Sequence, residues 1–348
     1  MTDRDAGDAL PEDRLLLTAS PHLKAPDSTP KIMWNVVGSL VPVVLVAVYF
    51  FGPSAIMVMA AATIGAMATE WVFGSRETLL DGSAAITGIL LGLCLPAGMP
   101  VWMAFVGGAF GVAFGKLVFG GLGQNPFNPA LVGRAFLQAA FPTAITTWPS
   151  VEMEWGAWRG ANFALPLQSE EGADVVTQAT PLGLWKFEGE ITDVFNLMIG
   201  NTGGSLGETA GILILLCGGY LALRNYLNWR IPLGIFATVF VFSEILYLIN
   251  PEVYPPPFFM LFSGGLMLGA VYMATDMVTS PVTNLGCWIF AGGIGILVVL
   301  IRVWGGLPEG VMYAILFMNA FVPFINRATQ PRVFGHMKEK KQVQEAKA

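Results

Sequence analysis

Residues 33–51 read MWNVVGSLVPVVLVAVYFF and contain no charged side chain. An α-helix needs about 20 predominantly apolar residues to cross the hydrocarbon core of a bilayer, so this stretch has the length and composition of a transmembrane helix. Similar runs recur along the chain, in which 54% of the 348 residues are hydrophobic and 12% are charged. A typical soluble domain carries about 25% charged residues. The composition therefore excludes a soluble globular domain and predicts a polytopic membrane protein.

The apolar runs predict ten transmembrane spans. They lie at approximately 33–51, 53–73, 83–98, 101–121, 129–147, 206–224, 231–249, 257–275, 286–303 and 309–326. The third, fourth, fifth and ninth spans are short or interrupted by Gly and Pro, which predicts broken or re-entrant helices packed inside the protein. Five spans precede a long polar stretch and five follow it, so the second half would enter the membrane in the opposite orientation. We therefore expect an all-α fold with a possible 5+5 inverted repeat.

Lysine and arginine residues beside the spans predict the orientation of the chain. These residues are Arg4, Arg14, Lys24, Lys31, Arg76, Lys116, Arg224, Arg230, Arg327, Arg332, Lys338, Lys340, Lys341 and Lys347. Ten spans place all of them on one side of the membrane, which must be the cytoplasmic side because positive charge concentrates there. The polar stretch 148–205, which is rich in carboxylates, then lies outside the cytoplasm, and both termini lie inside.

This topology divides the chain into five predicted parts. They are a cytoplasmic N-terminal segment (1–32), a first five-helix membrane half (33–147), an extracytoplasmic loop (148–205), a second five-helix membrane half (206–326) and a cytoplasmic basic tail (327–348). We expect a multi-pass protein of the bacterial cytoplasmic (inner) membrane.

The extracytoplasmic loop contains the heptapeptide DVVTQAT at 174–180, followed at once by PLGLWK. The spacing Asp-x-x-Thr-x-Ala-Thr resembles the acceptor site of a flavin transferase, which esterifies the phosphate of FMN onto the last threonine. On this interpretation Thr180 carries a covalent FMN, and Asp174, Thr177, Ala179 and Trp185 belong to the site around it. The alternative is that a threonine-containing heptapeptide in a surface loop has no function.

Other aromatic residues of the same loop are candidates for packing against a flavin ring. They are Trp148, Trp155, Trp158 and Phe187. The alternative is that tryptophans beside a membrane form an interfacial belt.

Six further segments, together with TQATPLGLWK (177–186), resemble one family. The segments are SPHLKAPDSTPKIMWNVV (20–37), LDGSAAITGILLGLCLP (80–96), GGLGQNPFNPALVGRAFL (120–137), GNTGGSLGETAGILILLCGGYLALR (200–224), MATDMVTSPVTNLG (273–286) and PEGVMYAILFMNAFVPFINRATQPRVFG (308–335). The family contains the RnfD subunit of the Rnf complex and its relative, the NqrB subunit of the sodium-pumping NADH:quinone oxidoreductase (Nqr). The resemblance runs from about residue 15 to residue 335, and the short polar N-terminus is more similar to RnfD. Gln178 departs from the family pattern, which usually has glycine there, and this puts the strength of transferase recognition in doubt.

The resemblance implies a flavoprotein subunit of an ion-translocating ferredoxin:NAD+ oxidoreductase, a redox-driven translocase that moves Na+ or H+. It also implies partners, namely the other subunits of a membrane complex, a second covalent-FMN subunit on the outer face, and the transferase that would modify Thr180. We expect no nucleic acid among the partners. The chain has no nucleotide-binding glycine fingerprint after a strand, and its three cysteines form no CxxC pair. It is therefore not catalytically complete alone, and we assign it no catalytic residue and no metal ligand.

Two polar breaks interrupt the predicted helices near the cytoplasmic face, QNPFNP at 124–129 and TSP at 279–281. Unwound backbone at membrane depth is costly unless it is packed inside protein or faces a ligand. The resemblance implies a second, non-covalent flavin, riboflavin, near this face. The candidate residues for it are Asn125, Asn128, Thr279 and Ser280. The alternative is that the asparagines cap half-helices.

Carboxylates in or beside the spans are candidates for an ion pathway. Asp276, next to the second break, fits an ion-binding role best, followed by Glu70 and Glu244. The alternative for each of them is an interhelical salt bridge or a helix cap.

The remaining ionisable residues divide by their predicted depth in the membrane. Glu70, Lys116, Asp276, Glu208 and Arg302 are expected near helix ends, where long side chains can reach water. Arg134 and Glu244 are expected deeper, where they need partners. Arg134 would either neutralise a reduced flavin or pair with a carboxylate.

Two alternative functions remain open from the sequence. One is the NqrB subunit of Nqr, which is a quinone-reducing complex. The other is a flavin-free channel or secondary transporter, because broken helices and an inverted repeat suit the passage of a substrate. A covalent flavin would discriminate between the classes, since a channel has no use for a tethered redox group.

Overall fold

The computed structural model describes residues 27–74, 76–150, 155–166 and 177–331. Within these ranges the regular structure is helical, and the β-structure consists of one isolated antiparallel bridge between Pro149 and Thr177. Asp174, His22 and His336 lie outside the described residues, as do most of the terminal lysines and arginines. The predicted all-α class is confirmed.

Among the described residues, the first half of the chain forms seven helices. They are α1 (Thr29–Phe51), α2 (Pro53–Phe73), α3 (Arg76–Leu79), α4 (Ser83–Leu93), α5 (Val101–Gly115), α6 (Pro129–Ala140) and α7 (Pro142–Thr146). A 3₁₀ turn, Leu117–Phe119, extends α5. Pro53, Pro129 and Pro142 each occupy the first turn of a helix, where the missing N–H costs nothing because it would have no intrahelical partner.

The loop 148–205, named the outer loop after its predicted side of the membrane, and the second half form the remaining helices among the described residues. They are α8 (Pro181–Gly183), α9 (Val194–Ile199), α10 (Gly211–Leu223), α11 (Arg230–Ile249), α12 (Pro257–Phe262), α13 (Leu266–Leu268), α14 (Asn284–Trp304) and α15 (Val311–Thr329). Single π-helical turns, Leu184–Glu188 and Gly269–Met273, follow α8 and α13, and a 3₁₀ turn, Leu206–Ala210, precedes α10.

Six helices among the described residues are long and apolar enough to cross a membrane. They are α1, α2, α5 with its 3₁₀ extension, α11, α14 and α15. The other four predicted spans coincide with short or broken helices, so the total of ten stays a prediction. Large apolar side chains such as Leu45, Leu248 and Phe324, which are 63%, 71% and 69% exposed, lie on the outer surface of these helices. So much exposed apolar surface suits contact with lipid.

The predicted positions of the breaks are partly wrong. The ninth span, expected to be interrupted, is the continuous helix α14, because its glycines permit close packing instead of ending the helix. A Cβ at Gly295 would lie 2.7 Å from Thr238, and one at Gly293 would lie 2.5 Å from Met318. The eighth span is broken between α12 and α13, where Gly264 has a φ of +66°. A left-handed conformation of this kind favours glycine.

The two membrane halves repeat one packing pattern. In the first half α2 packs against α4 and α5, and α5 packs against α6. In the second half α11 packs against α12 and α14, and α14 packs against α15. This correspondence indicates a structural repeat, and the opposite orientation of the second half stays a prediction.

The outer loop closes over the end of α1. Trp155 donates its indole N–H to the carbonyl of Val48 at 3.1 Å, and the buried Arg159 donates to the carbonyl of Phe50 at 3.1 Å. The carbonyl of Val48 also accepts from the N–H of Gly52 at 2.8 Å, whereas Arg159 supplies a partner to one of the last carbonyls of α1, which lack partners within the helix. Trp155 therefore serves to anchor the loop.

Candidate functional site

Thr180 lies at the start of a helical turn in the outer loop. Its backbone is extended, with φ −69° and ψ 154°, and its Oγ1 accepts a hydrogen bond from the N–H of Gly183 at 3.1 Å. This is the geometry of an N-cap residue. Thr177 and Ala179 are exposed, whereas Thr180 is half-buried. The hydroxyl is therefore held in place on a segment whose preceding residues are open to solvent.

A cavity of about 410 Å³ begins at Thr180 and is bounded by the outer loop, α6 and α15. Ala179 and Thr180 form part of its wall, and Trp148 and Phe187 supply aromatic side chains to it. Trp185 does not line this space, because its ring packs edge-on against Phe259 with 6.5 Å between centroids. Of the residues predicted around the acceptor, Ala179 thus shares the cavity with Thr180, and Trp185 packs away from it.

Lys186 fixes the Thr180 segment to the end of α14. Its ammonium group donates to the carbonyls of Arg302, Gly305 and Leu307 at 2.9, 2.5 and 3.0 Å. A cation suits the carbonyl end of a helix. Burial lowers the pKa of Lys186 from its ordinary value. Sequence reasoning missed this anchor, although Lys186 is one of only two basic residues in the acidic loop 148–205.

Charged side chains form the floor of the outer cavity. The guanidinium of Arg134 on α6 donates to Glu309 Oε2 at 2.7 Å, and the N–H of Gly265 donates to Glu309 Oε1 at 2.5 Å. Glu208 lines the same cavity and accepts from the hydroxyl of Ser205 at 2.8 Å. The expectation that Arg134 needs a partner is confirmed. Its partner, Glu309, was missed by the sequence analysis.

Arg302 lies behind this floor and is fully buried, at 0% exposure. Its guanidinium donates to the carbonyls of Met260 and Ser263 at 2.5 and 2.8 Å. The prediction that Arg302 reaches water at the outer helix end is wrong, because the break after α12 leaves carbonyls that this guanidinium satisfies.

A second cavity, of about 90 Å³, lies on the opposite face of the fold, where the break at 124–129 meets the segment 271–277. We name it the inner cavity after its predicted side of the membrane. Asn125, Asn128 and Asp276 line it. Asn128 caps α6 by accepting from the N–H groups of Ala130 and Leu131 at 3.0 and 3.3 Å, so the capping alternative holds for this residue. Asn125 is 4% exposed, and its Oδ1 has no hydrogen-bond partner among the described residues.

The second polar break does not line this inner cavity through Thr279 or Ser280. The hydroxyl of Thr279 instead donates to Asp276 Oδ2 at 3.2 Å, and the N–H of Val278 donates to Asp276 Oδ1 at 3.3 Å. Thr279 therefore orients the carboxylate of Asp276, which itself faces the cavity.

Glu70 and Lys116 form a buried ion pair beside the inner cavity. Lys116 Nζ lies 2.6 and 2.8 Å from the two oxygens of Glu70 and 2.6 Å from Ser83 Oγ. Glu70 and Lys116 are 0% and 2% exposed, so the prediction that they reach water is wrong. The salt-bridge alternative describes Glu70. Glu244 is half-buried on α11 and has no ion-pair partner within the described residues.

Lys116 and Arg302 occupy similar places in the two halves. Lys116 directly follows α5 and precedes Gly-Gly-Leu at 120–122, and Arg302 lies near the end of α14 and precedes Gly-Gly-Leu at 305–307. Each cation is buried beside the cavity at its own face. No group of three or more His, Cys, Asp or Glu side chains in the described parts of the chain is arranged to hold a metal ion.

Comparison with known proteins places the chain among membrane redox subunits. The NQR2, RnfD, RnfE family matches residues 16–335. The D subunit of the proton-translocating ferredoxin:NAD(+) oxidoreductase complex of Clostridium ljungdahlii is 40% identical over 92% of this chain and 96% of its own length. The D subunit of the Na(+)-translocating complex of Acetobacterium woodii is 39% identical over 97% of this chain and 99% of its own. The D subunit of the ion-translocating oxidoreductase complex of Stutzerimonas stutzeri is 40% identical over 88% of this chain and 92% of its own. The chain therefore belongs to the NQR2, RnfD, RnfE family of ion-translocating oxidoreductase subunits.

Proposed function

We propose that this chain is the RnfD subunit of an ion-translocating ferredoxin:NAD+ oxidoreductase (Rnf) complex and relays electrons through FMN esterified to Thr180. The observation that carries the proposal is the position of Thr180 in the wall of a 410 Å³ cavity that Arg134, Glu208 and Glu309 also line. FMN, when bound, supplies one-electron redox chemistry, and the protein supplies orientation and electrostatics.

The residues around Thr180 fit such a group. Its Oγ1 acts in the N-cap as an acceptor, and an ester oxygen keeps an acceptor lone pair, so esterification is compatible with the bond from Gly183. Trp148 and Phe187 offer aromatic faces to a ring in the cavity. Arg134 is 7% exposed, lines the cavity, and has an Nε without a partner among the described residues. A buried donor of this kind suits an acceptor on the bound group.

In-gel flavin fluorescence tests the attachment. The full-length chain is produced with a flavin transferase, denatured, and examined under ultraviolet light as wild type, Thr180→Val and Thr192→Val. Thr192 is the matched control because it is a half-buried threonine of the same loop that lies outside the heptapeptide and does not line the cavity. We expect fluorescence in the wild type and in Thr192→Val and none in Thr180→Val. A fluorescent Thr180→Val band would refute the assignment.

We further propose that riboflavin binds without a covalent bond in the inner cavity. The unpartnered Oδ1 of the buried Asn125 suits an N–H donor of a neutral heterocycle. The cavity is much smaller than the outer one, so binding requires side chains at its wall to move. Extraction of the denatured protein, followed by chromatography of the released flavin, tests this, and Asn125→Leu should abolish the released fraction. If the wild type releases no flavin, the proposal fails.

The partners follow from the assignment to this complex. They are the other membrane and cluster-bearing subunits, including a covalent-FMN subunit on the outer face that exchanges electrons with the group at Thr180. The coupling ion is Na+ or H+. Relatives named for each ion are similarly close, at 40% and 39% identity, so similarity does not choose between them.

The proposed location is the bacterial cytoplasmic (inner) membrane, with both termini in the cytoplasm and Thr180 outside. The six long apolar helices support a multi-pass protein. Cysteine substitutions at exposed Glu190 and Glu252, which the topology places on the outer face, should react with an impermeant thiol reagent in intact cells. Labelling of these positions only after cell lysis would place them in the cytoplasm and contradict the proposed topology.

A further inference from the structure

A groove opens on the surface of the second half between α11 and α14, and we call it the α11–α14 groove. It has a volume of about 500 Å³ and is lined by Ala237, Thr238, Val241, Phe242, Ile245 and Ile296. The groove faces away from the core, since Val241, Ile245 and Ile296 are 56%, 51% and 45% exposed. The hydroxyl of Thr238 donates to the carbonyl of Gly234 at 2.8 Å, so the one polar side chain of this lining is satisfied within its own helix.

The two helices that form the groove run in the same direction. A Cβ at Gly234 would lie 2.7 Å from Ala291. One turn further along both helices, a Cβ at Gly295 would lie 2.7 Å from Thr238. Both helices therefore begin at the same membrane face, where Arg230 is the first residue of α11. The groove starts about 10 Å further along α11, and one leaflet contributes about 15 Å of hydrocarbon, so the groove starts at the depth of the acyl chains.

Arg230 is a half-buried cation without a counter-charge at this end of the groove. Neither an ion pair nor a side-chain hydrogen bond joins its guanidinium to another described residue. The guanidinium lies over the ring of Trp229, 4.9 Å from the centroid, and Trp229 packs edge-on against Trp288 of α14 at 6.2 Å. An arginine stacked in this way keeps its N–H donors, which match the oxygens of a phosphate. These donors are therefore available to an anion outside the chain.

Exposed apolar side chains connect Arg230 with the groove. Leu233, one turn after Arg230 on α11, is 49% exposed. Trp288 is 41% exposed and lies against Gly234, where a Cβ would come within 3.1 Å of its ring. A cation at the membrane surface is thus followed by an apolar path into the hydrocarbon. A phospholipid presents the complementary order, with a phosphate at the surface and acyl chains below it.

We propose that Arg230 and the α11–α14 groove form a binding site for one anionic phospholipid, whose phosphate is bound by the guanidinium and whose acyl chain lies in the groove. A headgroup of net negative charge suits an uncompensated guanidinium better than a zwitterionic one, because the cationic part of a zwitterion would be repelled. The site goes beyond the proposed function, since it needs neither a flavin nor a partner subunit.

The lining of the groove favours a lipid chain over a transmembrane helix of another subunit. Helix pairs in membranes use small residues at their interface so that the backbones approach closely. Four of the six lining residues are instead the bulky Val241, Phe242, Ile245 and Ile296. An interfacial belt formed by Trp229 and Trp288 would anchor the chain at the membrane surface without selecting a headgroup charge.

Native mass spectrometry of the full-length chain, released from detergent, tests the site. The chain is titrated with dioleoyl phosphatidylglycerol or with dioleoyl phosphatidylcholine, which share their acyl chains and differ in headgroup charge. We expect the first phosphatidylglycerol to bind more tightly than the first phosphatidylcholine. Arg230→Gln should weaken the binding of phosphatidylglycerol about fivefold, the loss expected for one basic residue at a membrane surface, and should remove the preference between the two lipids.

Arg224→Gln is the control for this charge. It removes an arginine of the same connection between α10 and α11. The guanidinium of Arg224 lies over the ring of Tyr226, whose hydroxyl donates to Asp27 at 3.2 Å, so a carboxylate is already close to it. The variant should bind phosphatidylglycerol as the wild type does. Equal weakening by Arg224→Gln and Arg230→Gln would indicate attraction to the general surface charge and would overturn the site.

Substitutions that fill the groove test the place of the acyl chain. Ala237→Phe and Val241→Trp, both at exposed positions of the lining, should weaken the binding of both lipids. Ala60→Phe is the control, because Ala60 is an exposed alanine of α2 outside the groove. Unfolding temperatures equal to that of the wild type show that a filling variant is folded, and the second one serves if the first is not.

Two further results would overturn the site. Unchanged lipid binding in a folded groove-filling variant would leave a phosphate contact without an acyl chain, as a free phosphate ion would make. Crosslinking of Ala237→Cys to another subunit in the assembled complex would show that a protein helix occupies the groove. A chain without flavin would refute the proposed function but would not affect this test.

Discussion

Replacing Lys186 with methionine should release the Thr180 segment from the end of α14. The ammonium group makes three hydrogen bonds to carbonyls, at 2.5 to 3.0 Å. A hydrogen bond contributes a net 0.5–1.5 kcal/mol, and since Lys186 is only half-buried we take the lower part of that range, about 2 kcal/mol for the set. Methionine keeps the apolar stem, so the loss isolates the ammonium group.

Hydrogen–deuterium exchange measures this local release. A loss of about 2 kcal/mol corresponds to a roughly 30-fold faster exchange for amides that exchange through local opening. We expect the increase in peptides covering 301–309, where Gly305 donates to the carbonyl of Ile301. Lys31→Met is the control, because Lys31 forms an exposed pair with Asp27 within one helical turn. Exchange in 301–309 that rises less than about threefold would refute the inference that Lys186 anchors the loop.

Three further substitutions test other parts of the structure. Glu70→Gln leaves Lys116 buried without a counter-charge and should lower the free energy of unfolding by about 3–5 kcal/mol, measured as a lower unfolding temperature. Adding Lys116→Met should restore part of this loss. If the double variant recovers nothing, the ion pair is contradicted. Gly264 has a φ of +66°, and a Cβ added there would lie 2.7 Å from Leu182. Gly264→Ala should therefore lower the free energy of unfolding by about 1–3 kcal/mol in the same assay. An unchanged unfolding temperature would argue against this turn. Asp276→Asn should abolish cation transport by the reconstituted complex with its covalent flavin intact, whereas full transport would remove this carboxylate from the ion pathway.

The sequence predicted the helices better than it predicted the burial of charges. An apolar run is a local signal, and α1, α2, α11, α14 and α15 accordingly begin and end close to the expected residues. Burial depends on which helices meet, and the sequence does not show this.

Sequence reasoning selected Thr180 as a candidate but missed Glu309 and Lys186 beside it. Thr180 stood out because its heptapeptide resembles a known acceptor. Glu309 lies far from Arg134 along the chain, and its role appears only when α6 and the start of α15 come together. The sequence did indicate that Arg134, deep in a predicted span, needs a carboxylate partner. It did not indicate that this partner is Glu309, in the Pro-Glu-Gly sequence at 308–310. Lys186 is the last residue of the TQATPLGLWK segment at 177–186, but that segment does not indicate which carbonyls its ammonium group binds.

The bond between Arg134 and Glu309 joins the two membrane halves, because Arg134 belongs to the first and Glu309 to the second. Residues of both halves line the outer cavity. A chain cut in the loop 148–205 would therefore form this cavity only if its two pieces reassembled. Any movement of one half against the other would have to lengthen or break this ion pair, so the pair holds the shape of the cavity.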